Sequence, residues 1–126
     1  MSKKTAVIRG EEYTLRDSGI SLTTRLAGVN HGNCSLAIKK FVSKGDILTL
    51  IPDEDNNHDD TAIMVVAQNK YMVGWIPNNQ HTWQSKERIF KGLFAGEPWT
   101  AKVINYLKPS REFEFYNVEV EISQHE

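Results

Sequence analysis

The run TAIMVVAQNKYMVGWI, Thr61 to Ile76, sets two strand-like stretches on either side of the three residues Gln68, Asn69 and Lys70. Both stretches are rich in β-branched, aromatic and aliphatic side chains, and so short a connection joins strands only as an antiparallel hairpin. The same residue types mark TRLAGV (Thr24–Val29) and DILTLI (Asp46–Ile51), each bounded by Gly, Asn, Asp or Pro. Near the C-terminus WTAKVINYL and FEFYNVEVEI flank KPSRE as a second, longer hairpin, and Phe113–Ile122 alternates as a strand with one face partly wet.

Two segments break the strand period. NCSLAIKKFVSKGD opens with Asn33 as an N-cap, sets Ala37 with Phe41 and Ile38 with Val42 at four-residue spacing, and ends in Lys44 and Gly45, a helix C-terminal signature. NNQHTWQSKERIFKGLFAGE reads as a helix from Gln80 to Phe94 that turns Trp83, Phe90, Leu93 and Phe94 toward the core. The expectation is therefore a mainly β chain with two short helices, near Asn33–Ser43 and Gln80–Phe94, built on a closed or nearly closed antiparallel barrel of about six strands. Met1 to Asp17 is an extra strand or a mobile arm, so that residues 1–23 precede a single domain over 24–126.

Composition removes several function classes. A chain of 126 residues with 40% hydrophobic content builds one core and has no room for an ATP-driven motor beside it. Cys34 is the only cysteine, so neither a disulfide framework nor a multi-cysteine zinc site can form, which suits a reducing cytoplasm. The start MSKKTAVIRG has no apolar signal core, and no stretch reaches the roughly 20 apolar residues of a membrane span. Net charge is −1, too little for a protein that wraps nucleic acid by bulk electrostatics. The charge is unevenly placed: residues 1–50 carry a balance of +4, residues 51–60 carry −5, and the remainder is neutral. A groove touching a few phosphates remains open.

The acid is concentrated in DEDNNHDDTA, Asp53 to Ala62, between two strand runs. A metal loop, a catalytic acid cluster, a capped turn and a ligand-reading loop all fit such a knot. Asp53, Asp55, Asn57 and Asp59 follow the every-second-residue oxygen pattern of a calcium loop, but His58 stands where that loop needs glycine and Met64 where it needs a bidentate glutamate. A magnesium nuclease needs carboxylates converging from separate strands, and the other acids are scattered on solvated faces. No P-loop, dinucleotide fingerprint or Ser–His–Asp set is evident. Taken singly, Asn56 and Asp59 read as turn residues whose side chains bond nearby backbone. Cys34 reads as a small unreactive residue, and His31 and His81 as surface residues without a metal partner.

Knot and surroundings together are more specific. Ala27-Gly28, then KGDILTLIPDEDNNHDDTAIMVV, then YMVGWIPNN resembles the HIRAN domain: an early Gly, a Gly-Asp opening a strand, an acid-rich loop ending Asn-Pro-His/Tyr-Asp, an Ala-Ile strand, and a Gly-aromatic-aliphatic-Pro turn into a helix. The match runs from Thr24 to Leu107 and implies a stand-alone bacterial or phage member with a modified OB-like barrel. In the best understood members the domain binds single-stranded DNA at a free 3′ end. The resemblance then makes His58 the residue that stacks on a base, Asp59 the acceptor of the terminal 3′-hydroxyl, and Asn56 a loop-closing or base-contacting amide. Thr24 and Arg25 lie beside the bound end, and Trp75 and Asn78 line the groove.

Three positions depart from the pattern: Asn57 replaces the usual proline, Arg25-Leu26 stands where an aromatic often gives a second stacking surface, and Asn78 replaces a basic residue. Lys39, Lys40 and Lys44, or Lys108 and Arg111, could compensate as phosphate contacts. The expected ligand is single-stranded or frayed DNA in repair, fork processing or phage and plasmid DNA metabolism. A DNA-remodelling ATPase or a nuclease is the expected protein partner, and no catalysis, cofactor or metal is expected in the chain itself. The competing expectation is a protein-interaction module of the same fold without a DNA groove.

Overall fold

The computed structural model describes residues 4–16, 19–112 and 114–124. Two strands, β1 (Lys4–Ile8) and β2 (Glu11–Leu15), form an antiparallel hairpin of their own. Its two-residue turn, Arg9-Gly10, has both φ values positive, 51° and 82°, the backbone that matches strand twist in tight hairpins. Ala6, Ile8 and Leu15 alternate inward and join the core. The N-terminal segment thus supplies two strands, with Met1–Lys3 and Asp17 outside the described residues.

Six further strands make one sheet: β3 (Leu22–Arg25), β4 (Ile47–Pro52), β5 (Ile63–Ala67), β6 (Tyr71–Trp75), β7 (Trp99–Leu107) and β8 (Asn117–Gln124). The spatial order is β3-β8-β7-β4-β5-β6, and every pair is antiparallel. The sheet curls into an OB-like half-barrel, and its two edges meet at a single residue pair. Ala27, just beyond β3, donates to the Trp75 carbonyl (2.8 Å) and accepts from the Trp75 N–H (2.9 Å). The meeting is tight: a Cβ on Gly28, whose φ is +68°, would lie 2.5 Å from the Trp75 ring, and one on Gly74 would lie 2.8 Å from the Ala27 carbonyl oxygen. Inward side chains Leu48, Leu50, Val65, Ala101, Val103, Val118, Val120 and Ile122 fill the interior.

Two helices cover the barrel, both shorter than the sequence reading. Helix α1 (Cys34–Phe41) has Asn33 at its N-cap position but no side-chain capping bond. It stops before Val42, which is already extended. Gly45 belongs instead to the turn into β4, where its N–H donates to the Val103 carbonyl at 2.7 Å. Phe41 stacks on Tyr71 of β6 with ring centres 4.0 Å apart.

Helix α2 (Trp83–Phe94) begins after a polar turn in which Asn79 Oδ1 accepts from the His81 N–H and Thr82 Oγ1 donates to the Pro77 carbonyl. That turn uses the residues Gln80 to Thr82, so Trp83 falls at the first helical position and is 47% exposed rather than in the core. Ile89 and Phe90 are the buried apolar side chains of this helix, with Leu93 and Phe94 packed at the margin.

β8 also starts later than its alternation suggested, at Asn117. Glu114 and Phe115 form bends, and Phe113 lies outside the described residues. Among the described residues no helix is long and apolar enough to cross a membrane.

Candidate functional site

The acid-rich loop leaves β4 at Pro52 and re-enters the sheet at Ile63, and its own side chains shape it. The Asp53 N–H donates to the Ala62 carbonyl at 2.8 Å and closes the neck. Asn56 organises the tip. Its Oδ1 accepts from the N–H groups of His58 (2.8 Å) and Asp59 (3.0 Å), while its Nδ2 donates to Asp53 Oδ2 (3.2 Å). This is the backbone-mimicking turn that Asn favours, and it leaves His58, Asn57 and Asp55 exposed at the tip.

Asp59 faces inward. Its Oδ1 accepts from the Thr61 N–H (3.0 Å) and hydroxyl (3.2 Å), and both carboxylate oxygens meet the Lys86 ammonium, at 2.8 and 3.0 Å. Lys86 is wholly buried in α2 and also donates to the Thr61 carbonyl (2.9 Å) and hydroxyl. Burial by itself raises the Asp59 carboxyl, but the Lys86 ammonium and the Thr61 N–H outweigh it and hold the group below its ordinary value. Asp59 is therefore ionised at neutral pH, with its side chain 20% exposed and its Oδ2 in contact, among the described residues, with the Lys86 ammonium. Lys86 escaped the sequence reading, although a signal was there: it interrupts the apolar stripe Thr82, Lys86, Ile89, Phe90, Leu93 at helical spacing.

Trp75 joins this loop to the sheet. Its indole N–H donates to Asp53 Oδ2 at 3.3 Å, the oxygen that Asn56 also uses. The His31 ring meets it edge-on at 5.4 Å, and the Gly28 backbone presses on its six-membered ring. Strand register pairs Ile51 with Met64 and Met64 with Trp75, so these three side chains form one row on the outer face, next to the loop. Trp75 is half-buried.

Arg25 and Thr24 stand on β3, two and three residues before the closing Ala27. The Thr24 hydroxyl donates to the Arg25 carbonyl at 3.2 Å. Arg25 is exposed and opens onto a cavity of about 440 Å³ lined by Leu26, Glu112, Glu114, Phe115, Tyr116 and Asn117. Phe115, 45% exposed there, is an aromatic beside Arg25 that sequence reasoning absorbed into a strand.

The geometry thus links Asn56, His58 and Asp59 with Trp75 through Asp53, while Arg25 serves a neighbouring cavity. Asn78 is exposed past Pro77. Lys39, Lys40, Lys44, Lys108 and Arg111 are exposed as well, with no hydrogen bond or ion pair to the loop. Among the described residues no three His, Cys, Asp or Glu side chains group as a metal site.

No family model matches the sequence, and no curated protein matches it. Solved structures do. The HIRAN domain of human HLTF superposes with a TM-score of 0.59 at 15% identity, over 82% of this chain and 74% of that one. The chain has a HIRAN-like fold. A Lactobacillus plantarum protein gives the same TM-score at 16% identity, over 84% of this chain and 96% of its own.

Each element of the HIRAN pattern has a job in this HIRAN-like fold. Gly28 and the Gly74-Trp75 pair meet at the closure. Gly45 and Asp46 seat the start of β4 on β7, where Val103 donates to the Asp46 carbonyl at 2.8 Å and Asp46 Oδ2 accepts from the Ser43 N–H at 2.8 Å. Ala62, buried, donates to the Asp59 carbonyl at the exit of the acid-rich loop, and Ile76 donates to the Ile63 carbonyl at 3.1 Å.

Proposed function

We propose that this chain is a nucleic-acid-binding module that engages single-stranded or frayed DNA at a free 3′ end. The observation that supports the reading is the HIRAN-like fold with its acid-rich loop built as a preformed shelf that leaves His58 exposed at its tip and is tied through Asp53 to Trp75. A base laid on the imidazole gains about 1–3 kcal/mol without regard to sequence. The loop's charge of −5 repels an internal phosphate but accepts a terminal hydroxyl, so a strand end is favoured over a strand interior. Asp59 Oδ2, bonded only to Lys86, is the acceptor with capacity left for that hydroxyl. Arg25 and Phe115 offer the next cavity a cation for phosphate and a ring for a second base. Catalysis belongs to a partner, an ATPase or nuclease acting on the strand that this module holds.

The second reading, a protein-interaction module, draws on one observation: Glu112 and Glu114 line the same cavity as Arg25 and oppose phosphate there. Fluorescence anisotropy separates the two. DNA binding should weaken with salt at a log–log slope of about −0.7 per neutralised phosphate. It should also be tighter for an oligonucleotide with a 3′-hydroxyl than for one with a 3′-phosphate. Equal affinity for both ends removes end selection, and absence of binding at low salt leaves the protein-interaction reading.

A further inference from the structure

The tip of the β1–β2 hairpin touches the acid-rich loop through one residue. Arg9 Nη2 donates to the backbone carbonyls of Asp60 (3.0 Å) and Glu54 (3.3 Å), and its guanidinium carbon lies 5.8 Å from the centre of the Phe90 ring. Glu54 and Asp60 stand on opposite arms of the loop, so a single nitrogen ties the arms together. The loop's internal bonds act elsewhere: Asp53 to Ala62 closes the neck, Asn56 shapes the tip, and Lys86 holds Asp59 and Thr61. Among the described residues Arg9 and Lys86 are the cations bonded to this loop, and Arg9 alone comes from outside the six-stranded sheet and its helices.

The hairpin that carries Arg9 is itself fixed at its root. Arg88 of α2 donates to the Arg16 carbonyl (2.6 Å) and grips buried Glu97 through two nitrogens (2.6 and 2.8 Å), and Lys4 of β1 reaches the same carboxylate at 3.4 Å. At the other end the turn puts Arg9 in the left-handed region and aims its side chain at the loop. We infer that the hairpin is a clamp on the acid-rich loop, and that Arg9 is the positioning residue that holds its two arms at the separation a ligand meets. The binding part of this inference rests on the proposed function, whereas the clamp itself does not. Charge-assisted bonds to two carbonyls fix the arms in the free protein, so a ligand finds the tip ordered and does not have to order it.

The test uses the full chain with Arg9→Ala and Arg9→Lys. Amide hydrogen exchange is read at His58, Asp59 and Thr61 in the loop and at β7 amides as the internal control, with anisotropy of a 3′-hydroxyl single-stranded oligonucleotide alongside. Arg9→Ala should speed exchange of the loop amides about tenfold, leave β7 unchanged, and weaken oligonucleotide binding about tenfold. Arg9→Lys, which keeps the charge on a shorter side chain, should fall between, and it carries the test if the alanine variant fails to fold. Unchanged loop exchange, or equal acceleration in loop and β7, overturns the clamp. Faster loop exchange with unchanged affinity overturns the positioning role. If the wild type binds no oligonucleotide, the proposed function fails, and the exchange measurement still decides the clamp.

Discussion

Removing the Asp59 carboxylate would leave the Lys86 ammonium wholly buried with only Thr61 for company, and an unpaired buried charge is among the costliest defects a small domain can carry. Asp59→Ala should therefore destabilise the protein by about 3 kcal/mol, read as a fall in the urea midpoint, whatever its effect on ligand. Pairing it with Lys86→Met removes the stranded charge and should recover most of the loss. An unchanged midpoint in the single variant would deny the ion pair its structural part. For that reason ligand binding is better probed through the proposed stacking at His58, which is exposed and bonded through its backbone N–H to Asn56: His58→Ala should lose about 1–3 kcal/mol of oligonucleotide affinity with no shift in midpoint. The turn role of Asn56 was readable in the sequence because it is local, a side chain bonding amides two and three residues on. The Asp59–Lys86 pair was not, because it spans the chain from the loop to α2, and only the fold brings an interrupted helical stripe against that carboxylate.

At the scale of elements, the β5–β6 hairpin was legible and the β1–β2 hairpin was not. Thr61–Ile76 is almost free of charge outside its turn, so its two runs announce themselves. KTAVI and EEYTL put Lys4 and Glu11 on the same face as Ala6, Ile8 and Leu15 and leave Val7 on the outer face, so the alternation is blurred and their pattern fades into that of an arm. Lost boundaries have a similar cause. Trp83 and Phe115 are aromatics that periodicity assigns to an interior, yet a polar turn ahead of α2 and bends ahead of β8 set both outside. The legible hairpin conceals a cost. Gln68 and Asn69 both sit at positive φ, 54° and 56°, and Gln has no side-chain means of easing that conformation, whereas the Asn69 side chain bonds the Thr49 hydroxyl. Gln68→Gly should stabilise the protein by about 0.5–1 kcal/mol, raising the thermal midpoint, and leave ligand affinity unchanged. A lower midpoint would mean that the turn does not hold that backbone in solution.

Across the whole molecule, the network around Glu97 joins hairpin, helix and barrel, and it sets the acid limit of the fold. The Arg88 guanidinium first, then the Trp99 indole N–H, depress the Glu97 carboxyl to about 2 from an ordinary value of 4.5, against the upward push of burial. A carboxyl depressed in the folded state stabilises fully above its unfolded value and loses that contribution as pH falls through the folded one. Stability should therefore hold from neutrality to about pH 4.5 and decline toward pH 2, with Asp59 adding in the same direction. Thermal midpoints across that range, compared with Glu97→Gln, check it; an equally steep decline in the variant would assign the loss to other carboxylates. The barrel's closure has a consequence of a different kind. Among the described residues two backbone bonds between Ala27 and Trp75 are the hydrogen bonds that join the first edge of the sheet to the last, whereas β7 and β8 share a ladder along most of their length. A load that pulls those two edges apart meets two hydrogen bonds at Trp75 and a full ladder at β7–β8, so the rivet is the joint expected to open first. A strand anchored on the Trp75 side would place its pull on the weakest joint.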